Sequence, residues 1–108
     1  MHTTIVRYKV KGDEAEENKA LIRRVFEELE ESKPDGLRYA AFSLADGASF
    51  VHVAVVETEN GGNPLQQTAA FRKFVDNIDG RCEEAPVASN ADVVGSYRLF
   101  WQKFADSA

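Results

Sequence analysis

The chain carries one internal histidine, His52, inside the apolar run FVHVAVV. An imidazole titrates near neutral pH, so His52 is the candidate for general-base work. The competing reading is a strand histidine hydrogen-bonded to a neighbour at a subunit interface, which residue type alone favours. Tyr8, Tyr39 and Tyr97 fall in other strand-like stretches, where their rings could line an aromatic pocket and their hydroxyls orient a ligand. Packing with an outward hydroxyl would account for them equally well. Arg7, Arg38 and Arg98 could offer forked guanidinium contacts to an anion, or snorkel to solvent and pair with Glu57 and Asp92. Tyr8, Arg38, Tyr39 and Tyr97 are therefore the candidate ligand-binding residues.

Metal and thiol chemistry find less support. Cys82 stands in what reads as a loop between Arg81 and the acids Glu83 and Glu84, whose charges roughly cancel, so nothing draws its thiol toward a reactive thiolate. His52 has no visible co-ligands, and the acidic run Glu27, Glu28, Glu30, Glu31 reads as the solvated back of a helix. The chain has no phosphate-binding glycine loop, nucleophile elbow or dinucleotide fingerprint. The expectation is a protein without metal or cofactor that does not degrade haem, and any turnover should be cofactor-free.

Composition narrows the partners. A net charge of -5 over 108 residues argues against nucleic acid, because phosphate neutralisation needs clustered Lys and Arg. The lone cysteine excludes an internal disulfide, and no apolar run approaches a membrane span. With an amino end that alternates like a strand, the expectation is a cytoplasmic protein forming a single domain over 1–108.

The elements that would position these residues follow from periodicity. Thr3–Lys11 alternates as a strand. Asp13 and Glu16 resemble a capping box, and Ala15, Leu21, Ile22, Val25, Phe26 and Leu29 form the apolar stripe of a helix reaching about Glu31. Asn63 and Pro64 open a second helix with its stripe on Leu65, Thr68, Phe71, Phe74, Val75 and Ile78, stopped at Gly80. The stretch 81–92 resists assignment because Pro86 argues against a central strand. Val93–Phe100 alternates again as the last strand, followed by an aromatic tail with Trp101 and Phe104.

Between the helices, Asp35–Glu57 reads as a hairpin turning at Asp46-Gly47. That register pairs Phe42 with Val51, Ala41 with His52 and Tyr39 with Ala54, which puts Arg38 on the face opposite His52. Both hairpin faces are apolar. One can lie under the helices, and the other, expected to carry Leu37, Tyr39, Phe50, Ala54 and Val56, needs a second copy of the chain over it.

The resulting order, β-α-β-β-α-β, specifies an α+β ferredoxin-like plait: a four-stranded antiparallel sheet with both helices on one face. In Gly36-Leu37-Arg38-Tyr39 opening the second strand, Phe50–Glu57 as the third, and Phe71 and Phe74 inside the second helix, the chain resembles the dimeric α+β barrel superfamily. It is most similar there to the antibiotic-biosynthesis-type monooxygenases. The resemblance implies a homodimer joined through the open sheet face and a small aromatic or anionic ligand between sheet and helices. It also implies an alternative, a cofactor-independent monooxygenase-like or isomerase-like enzyme. Thr58–Asn63 lacks the Trp or Tyr, and Gln66-Gln67-Thr68 the helix His, of those relatives, so no catalytic residue is carried over.

Overall fold

The computed structural model describes residues 1–99. Alternation at the amino end produces β1 (His2–Val10), in which Tyr8 and Val10 are buried while Ile5 and Arg7 stay exposed on the other face. A 3-10 turn, Gly12–Glu14, leads into α1 (Ala15–Ser32). The expected capping box is not formed, since no side chain caps either segment. The α1 stripe buries Ala15, Leu21, Ile22 and Val25, and also Asn18. Lys33, in the left-handed conformation with φ 45°, ends the helix by donating its N–H to the Leu29 carbonyl at 2.8 Å.

The hairpin forms β2 (Leu37–Ser43) and β3 (Ser49–Val56) in the expected register, with Phe42 opposite Val51, Ala41 opposite His52 and Tyr39 opposite Ala54. Its connection is the longer loop 44–48 rather than a two-residue turn. Gly47 N–H donates to the Leu44 carbonyl at 3.0 Å, while Asp46 Oδ1 accepts from the N–H groups of Ala48 (2.9 Å) and Ser49 (2.8 Å). The Asp46 side chain thus supplies the turn closure that a tighter turn would take from backbone alone. At the open end, Gly36 has φ +78°, and a Cβ there would lie 2.9 Å from the Glu57 carbonyl oxygen. Only glycine fits where these chains meet.

The second half differs from expectation. The single long helix is replaced by a 3-10 segment Pro64–Gln67, α2 (Ala69–Val75) and α3 (Ile78–Arg81). Asn63 accepts from Leu65 N–H as expected, but Thr68 then leaves the helical conformation and caps α2 by accepting from Phe71 N–H at 3.3 Å. Asn77, with φ 62°, takes the left-handed break that Gly80 was expected to supply. Among the described residues the last strand is β4 (Cys82–Ala91), residues 93–99 of the expected final strand form none, and Cys82 is the first residue of β4 rather than a loop cysteine. Pro86 is tolerated because β4 is an edge strand and the ladder is irregular there, between the pairs Arg7–Val87 and Lys9–Glu84. With β3 on one side of β1 and β4 on the other, no β1 edge remains for the alternating segment after Asp92. Val93 and Val94 are exposed instead. Phe100, Trp101 and Phe104 lie outside the described residues.

All neighbouring strands are antiparallel in the order β2-β3-β1-β4, the α+β ferredoxin-like arrangement. The core joins Leu21, Ile22 and Val25 of α1, Leu65 and Phe74 to Tyr8, Val10 and Phe50 of the sheet. Burying a side chain such as Phe50 contributes about 1.5–3 kcal/mol relative to leaving it in water. This placement corrects the expected open face. Phe50, Leu37 and Tyr39 lie on the helix side of the sheet, as do the in-register Ala54 and Val56. The outward face carries Ile5, Arg7, Arg38, Val51, Val53 and Val55. Among the described residues no helix is long and apolar enough to cross a membrane.

Candidate functional site

His52 is buried under the helices, away from the outward sheet face. Its Nε2 lies 2.8 Å from the Tyr8 hydroxyl and its Nδ1 2.5 Å from the Tyr39 hydroxyl. The polar contacts continue inward. Asn18 Nδ2 donates to Tyr8 Oη at 2.9 Å, and Arg81 Nε donates to Asn18 Oδ1 at 3.3 Å. Arg81 also donates through Nη2 to the Phe74 carbonyl (2.6 Å) and through Nη1 to the Asp76 carbonyl (3.3 Å), closing the end of α2.

The surroundings of this chain are aromatic. The His52 ring stacks on Phe74 with centroids 5.4 Å apart, and Tyr8 stacks on Phe50 at 5.5 Å. Burial in this apolar shell penalises charge. It lowers the His52 pKa to about 4, which leaves the imidazole neutral at physiological pH, and it raises both Tyr8 and Tyr39 well above the usual phenol value. A neutral imidazole between neutral phenols can pass or polarise protons without any member carrying charge.

The space over this part of the sheet is filled by Tyr8, Phe50, His52 and Phe74. Open volume lies instead at the flank, between the end of α1 and β2. There a cleft of about 260 Å³ is lined by Phe26, Leu29, Leu37 and Tyr39, with the exposed Glu30 and Lys33 beside them. The Tyr39 ring stacks on Phe26 with centroids 5.1 Å apart and an interplanar angle of 19°. Tyr39 therefore belongs both to the cleft wall and, through its hydroxyl, to the buried polar chain. A larger hollow of about 680 Å³ lies among Met1, His2, Val56, Glu57, Thr58 and Gly61, away from His52. Among the described residues no three His, Cys, Asp or Glu side chains are grouped to hold a metal.

The structure thus joins His52, Tyr8 and Tyr39 and separates the other candidates. Arg38 is exposed on the outward face, and Tyr97 is 82 % exposed beyond β4, with the Arg98 guanidinium 5.1 Å from its ring centroid. The expectation of a histidine at a subunit interface is corrected, because the partners of His52 are this chain's own tyrosines. Burial raises the Cys82 thiol above its ordinary value, which keeps it protonated. Counting apolar residues missed Asn18, although its position falls on the buried stripe of α1 between Ala15 and Ile22. Arg81 was missed because no local pattern marks a cation buried to 6 % exposure. Glu28, read as solvated, accepts from the N–H groups of Ala69 (3.1 Å) and Ala70 (2.8 Å) at the start of α2.

No protein-family model matches the sequence, and the search of curated proteins found no match. Solved structures do match. A Nitrosomonas europaea protein provisionally assigned as an antibiotic biosynthesis monooxygenase superposes with a TM-score of 0.73 at 23% identity, over 88% of this chain and 100% of its own. The fold is that of the antibiotic-biosynthesis-monooxygenase-like proteins. Rv0793 from Mycobacterium tuberculosis gives a TM-score of 0.70 at 14% identity, over 88% of this chain and 96% of its own. A variant of SnoaB, a cofactor-independent oxygenase from Streptomyces nogalater, gives 0.65 at 14% identity, over 91% of this chain and 97% of its own.

Proposed function

We propose that this monooxygenase-like fold binds a small aromatic molecule bearing an anionic or carbonyl oxygen, in the cleft of Phe26, Leu29, Leu37 and Tyr39. The observation that carries this reading is the double role of Tyr39, whose ring forms cleft wall while its hydroxyl is tied to His52 at 2.5 Å. Aromatic and aliphatic walls with a small number of placed polar groups suit a flat ligand. Lys33, paired with Glu30 at 3.7 Å on the exposed rim, supplies a cation that an anionic ligand can recruit at small cost.

The second reading is a cofactor-independent, monooxygenase-like or isomerase-like enzyme. It is favoured by the neutral His52 between two tyrosines and by the likeness in fold to a cofactor-independent oxygenase. In that reading His52 is the candidate base. A homodimer joined through the outward sheet face is part of the proposal, supported by the apolar Ile5, Val51, Val53 and Val55 on that face.

The test is a titration with benzoates and phenols followed by NMR of Phe26, Leu37 and Tyr39, together with oxygen uptake on electron-rich phenols. Saturable shifts at those residues are expected. Their absence across both series refutes the binding reading. Oxygen uptake lost in His52→Ala would select the enzyme over the binding module, and uptake that is unchanged would remove His52 as base.

A further inference from the structure

The polar chain beneath the cleft has a direction, and that direction is set at its buried end. A guanidinium can only donate, so Asn18 must turn Oδ1 toward Arg81 and Nδ2 toward Tyr8, which is the arrangement observed. Tyr8 Oη then accepts from Asn18, and its own proton has His52 Nε2, at 2.8 Å, as acceptor. Were Nε2 the protonated nitrogen, Tyr8 would accept twice, and its O–H, in a residue 2 % exposed, would have no acceptor among the described residues. The neutral imidazole therefore carries its proton on Nδ1 and donates it to Tyr39 Oη at 2.5 Å. Tyr39 Oη then accepts from His52, and its own O–H is left to give.

We propose that Tyr39 is the outward end of a one-way donor chain, Arg81 to Asn18 to Tyr8 to His52 to Tyr39, and that it presents a polarised O–H to an oxygen of the ligand. Each hydrogen bond accepted strengthens the next one donated, and the first donor is a cation with no carboxylate in ion-pair distance among the described residues. Specificity follows. An aromatic molecule with a carboxylate, phenolate or carbonyl oxygen meets a donor that an equally shaped hydrocarbon cannot use. This rests on the binding reading above and adds the residue that selects the ligand's oxygen and the buried groups that fix its donor direction.

The experiment combines ¹⁵N NMR of His52 with binding of benzoate and, as the matched hydrocarbon, toluene. In the wild type the proton should sit on Nδ1, and benzoate should bind in preference to toluene. Tyr39→Phe should lose about tenfold in benzoate affinity, the scale of one hydrogen bond, and leave toluene unaffected. Asn18→Asp is the more demanding variant. The introduced carboxylate accepts from both Arg81 and Tyr8, which reverses every bond beyond it, moves the His52 proton to Nε2 and turns the Tyr39 O–H inward. It should reproduce the benzoate loss of Tyr39→Phe while remaining folded through its ion pair with Arg81. A wild-type proton on Nε2, an unmoved proton in Asn18→Asp, or unchanged benzoate preference in Tyr39→Phe each overturns the proposal. If neither benzoate nor toluene shifts Phe26 and Leu37, the cleft reading itself fails and the ligand role of Tyr39 falls with it. Shifts at those residues with a wrong tautomer sink the donor chain alone.

Discussion

The Tyr8 hydroxyl and His52 Nε2 meet at 2.8 Å although the two residues are not register partners: Tyr8 stands opposite Phe50, and His52 opposite Val6. They are diagonal neighbours on adjacent strands, close enough for long side chains to touch. The diagonal lies on the helix side of the sheet, so the contact is dry and the imidazole is held neutral.

Stability should fall as pH drops from about 6.5 toward 4, because the His52 pKa is lowered to about 4 in the folded protein against an ordinary 6.5. In that window the unfolded chain binds a proton that the folded chain refuses. The difference is worth at most about 3 kcal/mol, reached below the folded value. Urea melts at pH values across this range would measure it, and His52→Gln should flatten the slope. At the alkaline end the raised Tyr8 and Tyr39 act in the opposite sense, with stability lost above the ordinary phenol pKa.

Arg81→Ala should be among the most damaging single changes. It removes the donors closing the Phe74 and Asp76 carbonyls and leaves Asn18 Oδ1 buried without its partner. The expected loss is about 2–4 kcal/mol, read from denaturant midpoints at constant m. A loss below 1 kcal/mol would mean that water replaces the guanidinium, on the scale of a single net hydrogen bond.

Glu28→Ala should cost about 1 kcal/mol through the lost cap on α2, whereas the exposed Glu27→Ala should be neutral. Hydrogen exchange at Ala69 and Ala70 would locate the effect. Uniform exchange across the chain in the variant would place it elsewhere.

If the outward sheet face is a homodimer contact, Val53→Asp should lower the dimer population by tenfold or more, on the order expected for an unpaired charge in an apolar interface. Sedimentation equilibrium at several concentrations checks this. Ala54→Asp, on the helix side, should instead unfold the monomer. A wild-type protein that stays monomeric at every concentration sinks the dimer.

Periodicity alone determined the strand of Thr3–Lys11, the helix stripe from Ala15 to Leu29 and the hairpin register of Arg38 to Phe42 against Val51 to Val55, because these are local patterns with one compatible period. That register by itself separates Arg38 from His52. It did not determine which hairpin face lies under the helices. Both faces are apolar, and only the packing of Leu21, Val25 and Phe74 against Tyr8 and Phe50 decided it. The last strand departs from local pattern for a related reason: Val93–Phe100 has the better alternation, but strand pairing is won by the segment that reaches the free edge of β1, and an edge tolerates Pro86. Tyr39–His52–Tyr8–Asn18–Arg81 was invisible in the same way. Its members are scattered from position 8 to position 81, each an ordinary residue in its own window, and their meaning comes from hydrogen bonds that tertiary structure alone brings into a dry core.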